Sequence, residues 1–289
     1  MEQRLADRPH LQGERLSSLA PRYDVVLCDV WGVIHDGATV YPAATCALEL
    51  FRAQGGCVIL VSNASRLAPM IATHLDKLKF PLSAYDALVT SGDITRDYIA
   101  RRPGCSVFDV GPGDARLILD GLPARLASLH EADIALTSGA FVDHSLDDLN
   151  TVLATMRAKD VPLLCANPDM VTELGGRRVE CSGAVGKRYS ELGGCVTYAG
   201  KPEAPIYEHC LAVAAKLCRR TVSRGRVLAI GDSLGTDIAG GAANGFDTLF
   251  IWGGIHAAEI GNSPTTTSVG KLLDQFDLVP IALARRLVW

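Results

Sequence analysis

The chain has no uncharged apolar run near the ~18 residues that a membrane-spanning helix needs. Its start, Met1-Glu2-Gln3-Arg4, leads into a polar segment and not into the apolar core of a signal peptide. A basic excess is missing too: a net charge of -4 and an isoelectric point near 6.0 give no general attraction for nucleic acid polymers or anionic lipid. Nine cysteines, scattered from Cys28 to Cys218, include no C-x-x-C pair, which argues for reduced thiols over a disulfide frame or a zinc site. No internal repeat is evident, and neither Ser138-Gly139 nor Ser182-Gly183 has the G-x-S-x-G spacing of a nucleophile elbow. Together these absences point to a cytoplasmic protein whose ligand is a small molecule.

What the chain does have is length and a pattern of buried runs. Its 289 residues suit a large α/β core carrying an insertion. Val25 to Cys28, Val58 to Val61, Val227 to Ile230 and Leu249 to Trp252 are continuously apolar, as in strands buried on both faces of a parallel sheet. Pro42 to Gln54 and Ala204 to Cys218 read as helices, the second with Ile206, Cys210, Val213 and Leu217 at helical spacing. The predicted fold is α/β, a doubly wound parallel sheet formed by residues 1–92 and 199–289, with an inserted α/β lobe over residues 93–198. Inside the insertion, Ser106 to Val110, Ile134 to Leu136 and Leu163 to Cys165 read as strands and Leu146 to Lys159 as a helix. Glycine turns at Gly111-Pro112-Gly113-Asp114 and Gly175-Gly176 punctuate it, and Gly193-Gly194 lies near its exit. The first twenty residues read as a helix or an arm without assigned chemistry.

Asp29, Ser62 and Asp232 each fall at or just past the carboxyl end of such a strand, where open α/β sheets place ligands. A carboxylate there can attack a phosphoryl group if a divalent cation and fixed donors offset the charge. Asp29, Asp232 and a backbone carbonyl near residue 31 are oxygen ligands suited to Mg²⁺. Ser62 and the amides that follow it are donors for phosphate oxygens, and Lys201 is a charge for the transferring group. Gly231-Asp232-Ser233-Leu234-Gly235-Thr236-Asp237 sets two carboxylates five apart near a helix start.

In order along the chain, Asp29-Val30-Trp31-Gly32-Val33-Ile34-His35-Asp36-Gly37, Val61-Ser62-Asn63-Ala64-Ser65-Arg66, Gly200-Lys201-Pro202 and Gly231 to Asp237 resemble the motifs of the haloacid dehalogenase superfamily. The likeness runs from about Tyr23 to His256. Asn167-Pro168-Asp169 is similar to a cap signature of its subfamily IIA, which includes nitrophenylphosphatase-like, nucleotide and sugar phosphatases. The resemblance implies Asp29 as nucleophile, the Trp31 carbonyl and Asp232 as Mg²⁺ ligands, and Asp237 as an acidic partner of the metal or of the lysine. It also implies Ser62, Asn63 and Lys201 at the phosphate, an aspartyl-phosphate intermediate, and an inserted lobe that closes as a cap. Asn167, Asp169 and the loop from Gly111 to Arg116 are the cap positions for a small phosphorylated metabolite. A homodimer is left open.

One residue departs from the pattern. Two positions after the nucleophile, phosphatases of this superfamily carry an aspartate that protonates the leaving oxygen, and this chain has Trp31, whose indole is only a neutral donor. General acid-base help is worth about 10² to 10⁴ in rate, so slow turnover or a selective phosphohydrolase is expected. His35 and Asp36 are the nearby candidates for a stand-in acid. The alternatives are a protein that binds Mg²⁺ and a phosphate ester with little turnover, and dehalogenase-like carbon-halogen chemistry, against which the retained Asp232 and Asp237 argue.

Overall fold

The apolar runs become the middle of a six-stranded sheet with the order Ala282–Ala284, Asp247–Ile251, Val227–Gly231, Val25–Asp29, Cys57–Ser62, Ala87–Thr90. This computed structural model describes residues 14–113, 115–142, 145–174, 177–261 and 266–289, and most of the amino-terminal arm, Asp114 and the Gly175-Gly176 turn lie outside them. Val25 pairs in parallel with Val227 on one side and Cys57 on the other. Every residue of these three strands is buried, which is why their sequences read as unbroken apolar runs. The chain builds the sheet outward from Val25–Asp29 in one direction, then returns to its other flank with Val227–Gly231 and builds the opposite way. Between those two strands the order reverses, which makes their carboxyl ends the place where open α/β sheets bind ligands.

Two compact units result, one of Met1–Ser62, Ala72–Val89 and Tyr207–Trp289, the other of Asn63–Ile71 and Thr90–Ile206. In the first, the helix Pro42–Ala53 starts on a proline, whose fixed φ suits the first helical turn, and buries Ala44, Ala47, Leu48 and Phe51. The second unit has its own parallel sheet, ordered Val196–Tyr198, Leu163–Cys165, Ile134–Thr137, Ser106–Val110, Arg125–Leu126. Leu153, Met156, Leu163, Val185 and Tyr189 pack its core, and the Tyr189 hydroxyl donates to the Val161 carbonyl at 2.7 Å. The expected helix from Leu146 starts as a 3-10 turn, Leu146–Leu149, and continues as the α-helix Asn150–Ala158. An antiparallel hairpin, Val171–Leu174 with Arg177–Glu180, was not legible in the sequence. In its second strand only Val179 is buried, so no apolar run marks it.

None of the nine cysteines, all among the described residues, is in a disulfide, and burial pushes the Cys165 and Cys181 thiols up to about 12, away from thiolate chemistry. Among the described residues no helix is long and apolar enough to cross a membrane.

The loop after Asp29 folds back on itself. Gly32 N–H donates to His35 O at 2.8 Å, Tyr41 N–H donates to Ile34 O at 2.8 Å, and His35 Nδ1 accepts from Gly37 N–H at 2.8 Å. A backbone N–H can only donate, so Nδ1 holds a lone pair and the proton of the neutral ring is on Nε2. The ring is 2% exposed. Burial, then the neighbouring His74, lowers its pKa from 6.5 to about 4, with Asp36 opposing. Trp31 meets His35 edge-on at 5.2 Å and lies over Gly37, where a Cβ would come 2.5 Å from Trp31 Cη2 and where φ is +94°.

A histidine with a depressed folded pKa is protonated first in the unfolded chain, so acid destabilises the fold between pH 6.5 and about 4. His35→Asn, whose carboxamide oxygen can still accept from Gly37, removes this term. The unfolding free energy lost between pH 7 and pH 4.5 in urea titrations should shrink by about 2 kcal/mol. An unchanged loss would place the acid sensitivity elsewhere.

Candidate active site

Asp29 ends the strand Val25–Asp29, and Asp232 follows the last residue of Val227–Gly231. These are the adjacent strands on either side of the switch point, so the topology alone brings the two carboxylates to the same end of the sheet. Asp237 joins them through a single π turn, Leu234–Ile238, in which Ile238 N–H reaches Ser233 O at 3.2 Å. Its own Oδ2 accepts from Ser233 N–H at 3.1 Å. One oxygen from each of Asp29, Asp232 and Asp237 lies within 4.8 Å of the others, and the three residues are 8%, 6% and 4% exposed.

Glycines make this approach possible. A Cβ on Gly32 or Gly254 would stand 1.9 or 2.0 Å from Asp232 Oδ2, and one on Gly231 would stand 2.1 Å from Asp237 Cβ. Ile255 N–H donates to Asp232 Oδ2 at 2.8 Å. Three carboxylates this close repel one another unless protons or a cation intervene. An all-oxygen donor set at this spacing fits one hard divalent cation.

A second cluster forms in the other unit, around Lys201, which is 4% exposed. Asn63 Oδ1 accepts from Lys201 N–H at 2.8 Å, while its Nδ2 donates to Asp169 Oδ1 at 2.8 Å and to Lys201 O at 3.1 Å. Both ends of the Asn63 carboxamide are thus used to hold the lysine segment to the Asn167-Pro168-Asp169 turn. Gly200 is pressed into that junction: a Cβ there would meet Asn63 Oδ1 at 2.4 Å. The Lys201–Pro202 peptide is cis. Asn167 Oδ1 accepts from Asp169 N–H at 3.1 Å, which closes the turn.

Ser62 is the last residue of Cys57–Ser62 and 9% exposed, on a strand whose Val61 lies beside Asp29. Trp31 is 36% exposed. Asp36 accepts from Ala38 N–H at 3.0 Å and Thr39 N–H at 2.8 Å, and these amides hold its carboxyl below the usual range. Arg116 sits exposed on the short helix Ala115–Leu119. Sequence reasoning missed Gly254 and Ile255, because a backbone amide and a missing side chain carry their contribution and neither forms a motif.

The geometry agrees with three comparisons. Sequence profiles described as haloacid dehalogenase-like hydrolase and HAD-hydrolase-like match residues 26–122 and 198–274. A crystal structure of a haloacid dehalogenase-like hydrolase from Brucella suis 1330 is similar with a TM-score of 0.84 and 38% identity, covering 95% of this chain and 99% of that one. D-glycerol 3-phosphate phosphatase of Mycobacterium tuberculosis is 26% identical over 250 residues, 84% of this chain and 67% of that protein. A crystal structure of a glycerol phosphate phosphatase from the same organism, in complex with magnesium, shares the fold with a TM-score of 0.64 at 24% identity, covering 85% of this chain and 73% of that one. With the carboxylate cluster at the switch point and a relative of more than one-third identity over nearly its whole length, this chain belongs to the haloacid dehalogenase-like hydrolases.

Proposed function

We propose that the protein is a Mg²⁺-dependent phosphohydrolase that acts on a small phosphate ester whose leaving group departs without a proton. The observation that carries this reading is the convergence of Asp29, Asp232 and Asp237 within 4.8 Å at the ends of two adjacent strands. The Asp29 carboxylate attacks phosphorus, the bond from phosphorus to the ester oxygen breaks, and the leaving oxygen takes the electron pair. Water then attacks the phosphorus of the aspartyl phosphate, releasing inorganic phosphate and restoring Asp29. Asp29, Asp232 and the Trp31 carbonyl, with Asp237 in support, would hold Mg²⁺, which would offset the negative charge of nucleophile and phosphoryl group.

Ser62 and Lys201 are assigned to the phosphoryl oxygens. Asn63 serves the same end indirectly, since its carboxamide fixes the Lys201 backbone. The lobe over residues 93–198, with Asn167 and Asp169 at its turn, is assigned to the rest of the metabolite.

Neither stand-in acid is well placed for proton donation. His35 is neutral above about pH 4, with Nδ1 engaged by Gly37, and Asp36 is kept ionised by two amides. Trp31 offers an aromatic face and no acid. Aryl, enol and acyl phosphates therefore suit this reading better than alkyl phosphates, whose alkoxide leaving groups need protonation.

Phosphate release from esters of graded leaving-group basicity, with and without Mg²⁺, tests it. Release should require Mg²⁺ and vanish in Asp29→Asn; wild-type turnover by that variant would remove Asp29 as nucleophile. No release from any ester, with Mg²⁺ still bound, would favour a binding protein. Trp31→Asp should raise turnover of alkyl phosphates about 10-fold or more, while leaving esters with acidic leaving groups less affected. Equal effects on both series would show that position 31 does not govern leaving-group protonation.

A further inference from the structure

The segment after the strand Asp247–Ile251 meets Asp232 at two residues and the turn that carries Asp237 at a third. Gly254 lies against Asp232 Oδ2, Ile255 N–H donates to the same oxygen at 2.8 Å, and His256 Nε2 accepts from Leu234 N–H at 3.3 Å. Leu234 opens the π turn that carries Asp237. Because the Leu234 amide can only donate, His256 Nε2 holds a lone pair, and its ring proton is on Nδ1, which faces Glu259 Oε2 at 3.0 Å. Glu259 therefore sets the tautomer that lets the imidazole accept. Phe250 and Phe276 hold the ring edge-on at 5.9 and 6.2 Å, and its side chain is only 12% exposed.

The first amides of a helical turn need acceptors from outside it. Here two competing donors lie side by side. Ser233 N–H takes Asp237 Oδ2 at 3.1 Å, and Leu234 N–H takes His256. Without the imidazole, Leu234 N–H would lose this acceptor next to an amide that the Asp237 carboxylate already caps. Drawing that carboxylate further into the turn would take it from the cluster it forms with Asp29 and Asp232.

We infer that His256, oriented by Glu259, is a positioning residue that keeps the π turn from claiming the Asp237 carboxylate and so holds Asp232 and Asp237 ready for the cation. This rests on the reading of the three carboxylates as a Mg²⁺ site. It assigns no proton transfer to the imidazole. The Glu259–His256 pair acts on a backbone amide, as a carboxylate–histidine pair elsewhere orients a metal ligand.

Calorimetric titration with Mg²⁺ of the wild-type chain, His256→Leu, His256→Gln and Glu259→Gln, with amide hydrogen exchange read at Leu234, tests the inference. His256→Leu should weaken Mg²⁺ binding about tenfold and speed exchange at Leu234, whereas His256→Gln, whose carboxamide oxygen can still accept from Leu234, should stay within about threefold of wild type. Glu259 is 45% exposed, so Glu259→Gln keeps the test open if His256→Leu fails to fold, and it should show both effects in weaker form. Wild-type Mg²⁺ affinity and wild-type Leu234 exchange in the folded variants would overturn the inference and leave the proposed function standing. A wild-type chain that binds no Mg²⁺ would overturn both.

Discussion

Three carboxylates do not gather inside a protein without opposition, and much of the first unit answers that repulsion. Asp29, Asp232 and Asp237 are each less than one-tenth exposed and share a space of 4.8 Å. Like charges at this spacing repel, so fixed donors that face the carboxylates help to hold the arrangement. Two backbone amides donate into the cluster, Ile255 N–H to Asp232 and Ser233 N–H to Asp237. Such amides carry no charge that would compete with a metal ion.

Close approach is obtained by removing side chains. Gly32 and Gly254 flank one oxygen of Asp232 and Gly231 backs Asp237, each where a methyl group would overlap heavy atoms. The same device recurs one loop away, where Gly37 makes room for the Trp31 ring and donates to His35. That loop sets an indole on a glycine, braced by a buried neutral imidazole. The chain spends its polar groups there on shaping the loop, and Asp36 is occupied in the same way by Ala38 and Thr39.

The second unit repeats the logic with an amide side chain in place of glycine alone. Asn63, whose position beside Ser62 suggests phosphate, directs its carboxamide to Lys201 and Asp169. A Ser-Asn pair in a sequence gives no hint of which group the asparagine faces. Three segments far apart in the chain meet at that side chain, and only their meeting reveals its role.

The runs Val25 to Cys28, Val58 to Val61 and Val227 to Ile230 determined the central sheet by themselves, because strands buried on both faces tolerate only apolar residues and leave an unbroken signature. The order of the motifs likewise placed Asp29 and Asp232 at strand ends. Tertiary structure alone decided the rest. The hairpin around residues 171–180 is mostly exposed in its second strand and leaves no periodic mark. The grip of Gly254, Ile255 and His256 on residues some twenty positions earlier depends on backbone groups and on a tautomer, and both are set by what lies opposite in space. Burial is written in residue type, so the sequence could state it; hydrogen-bond direction is written in proximity, which only the folded chain supplies.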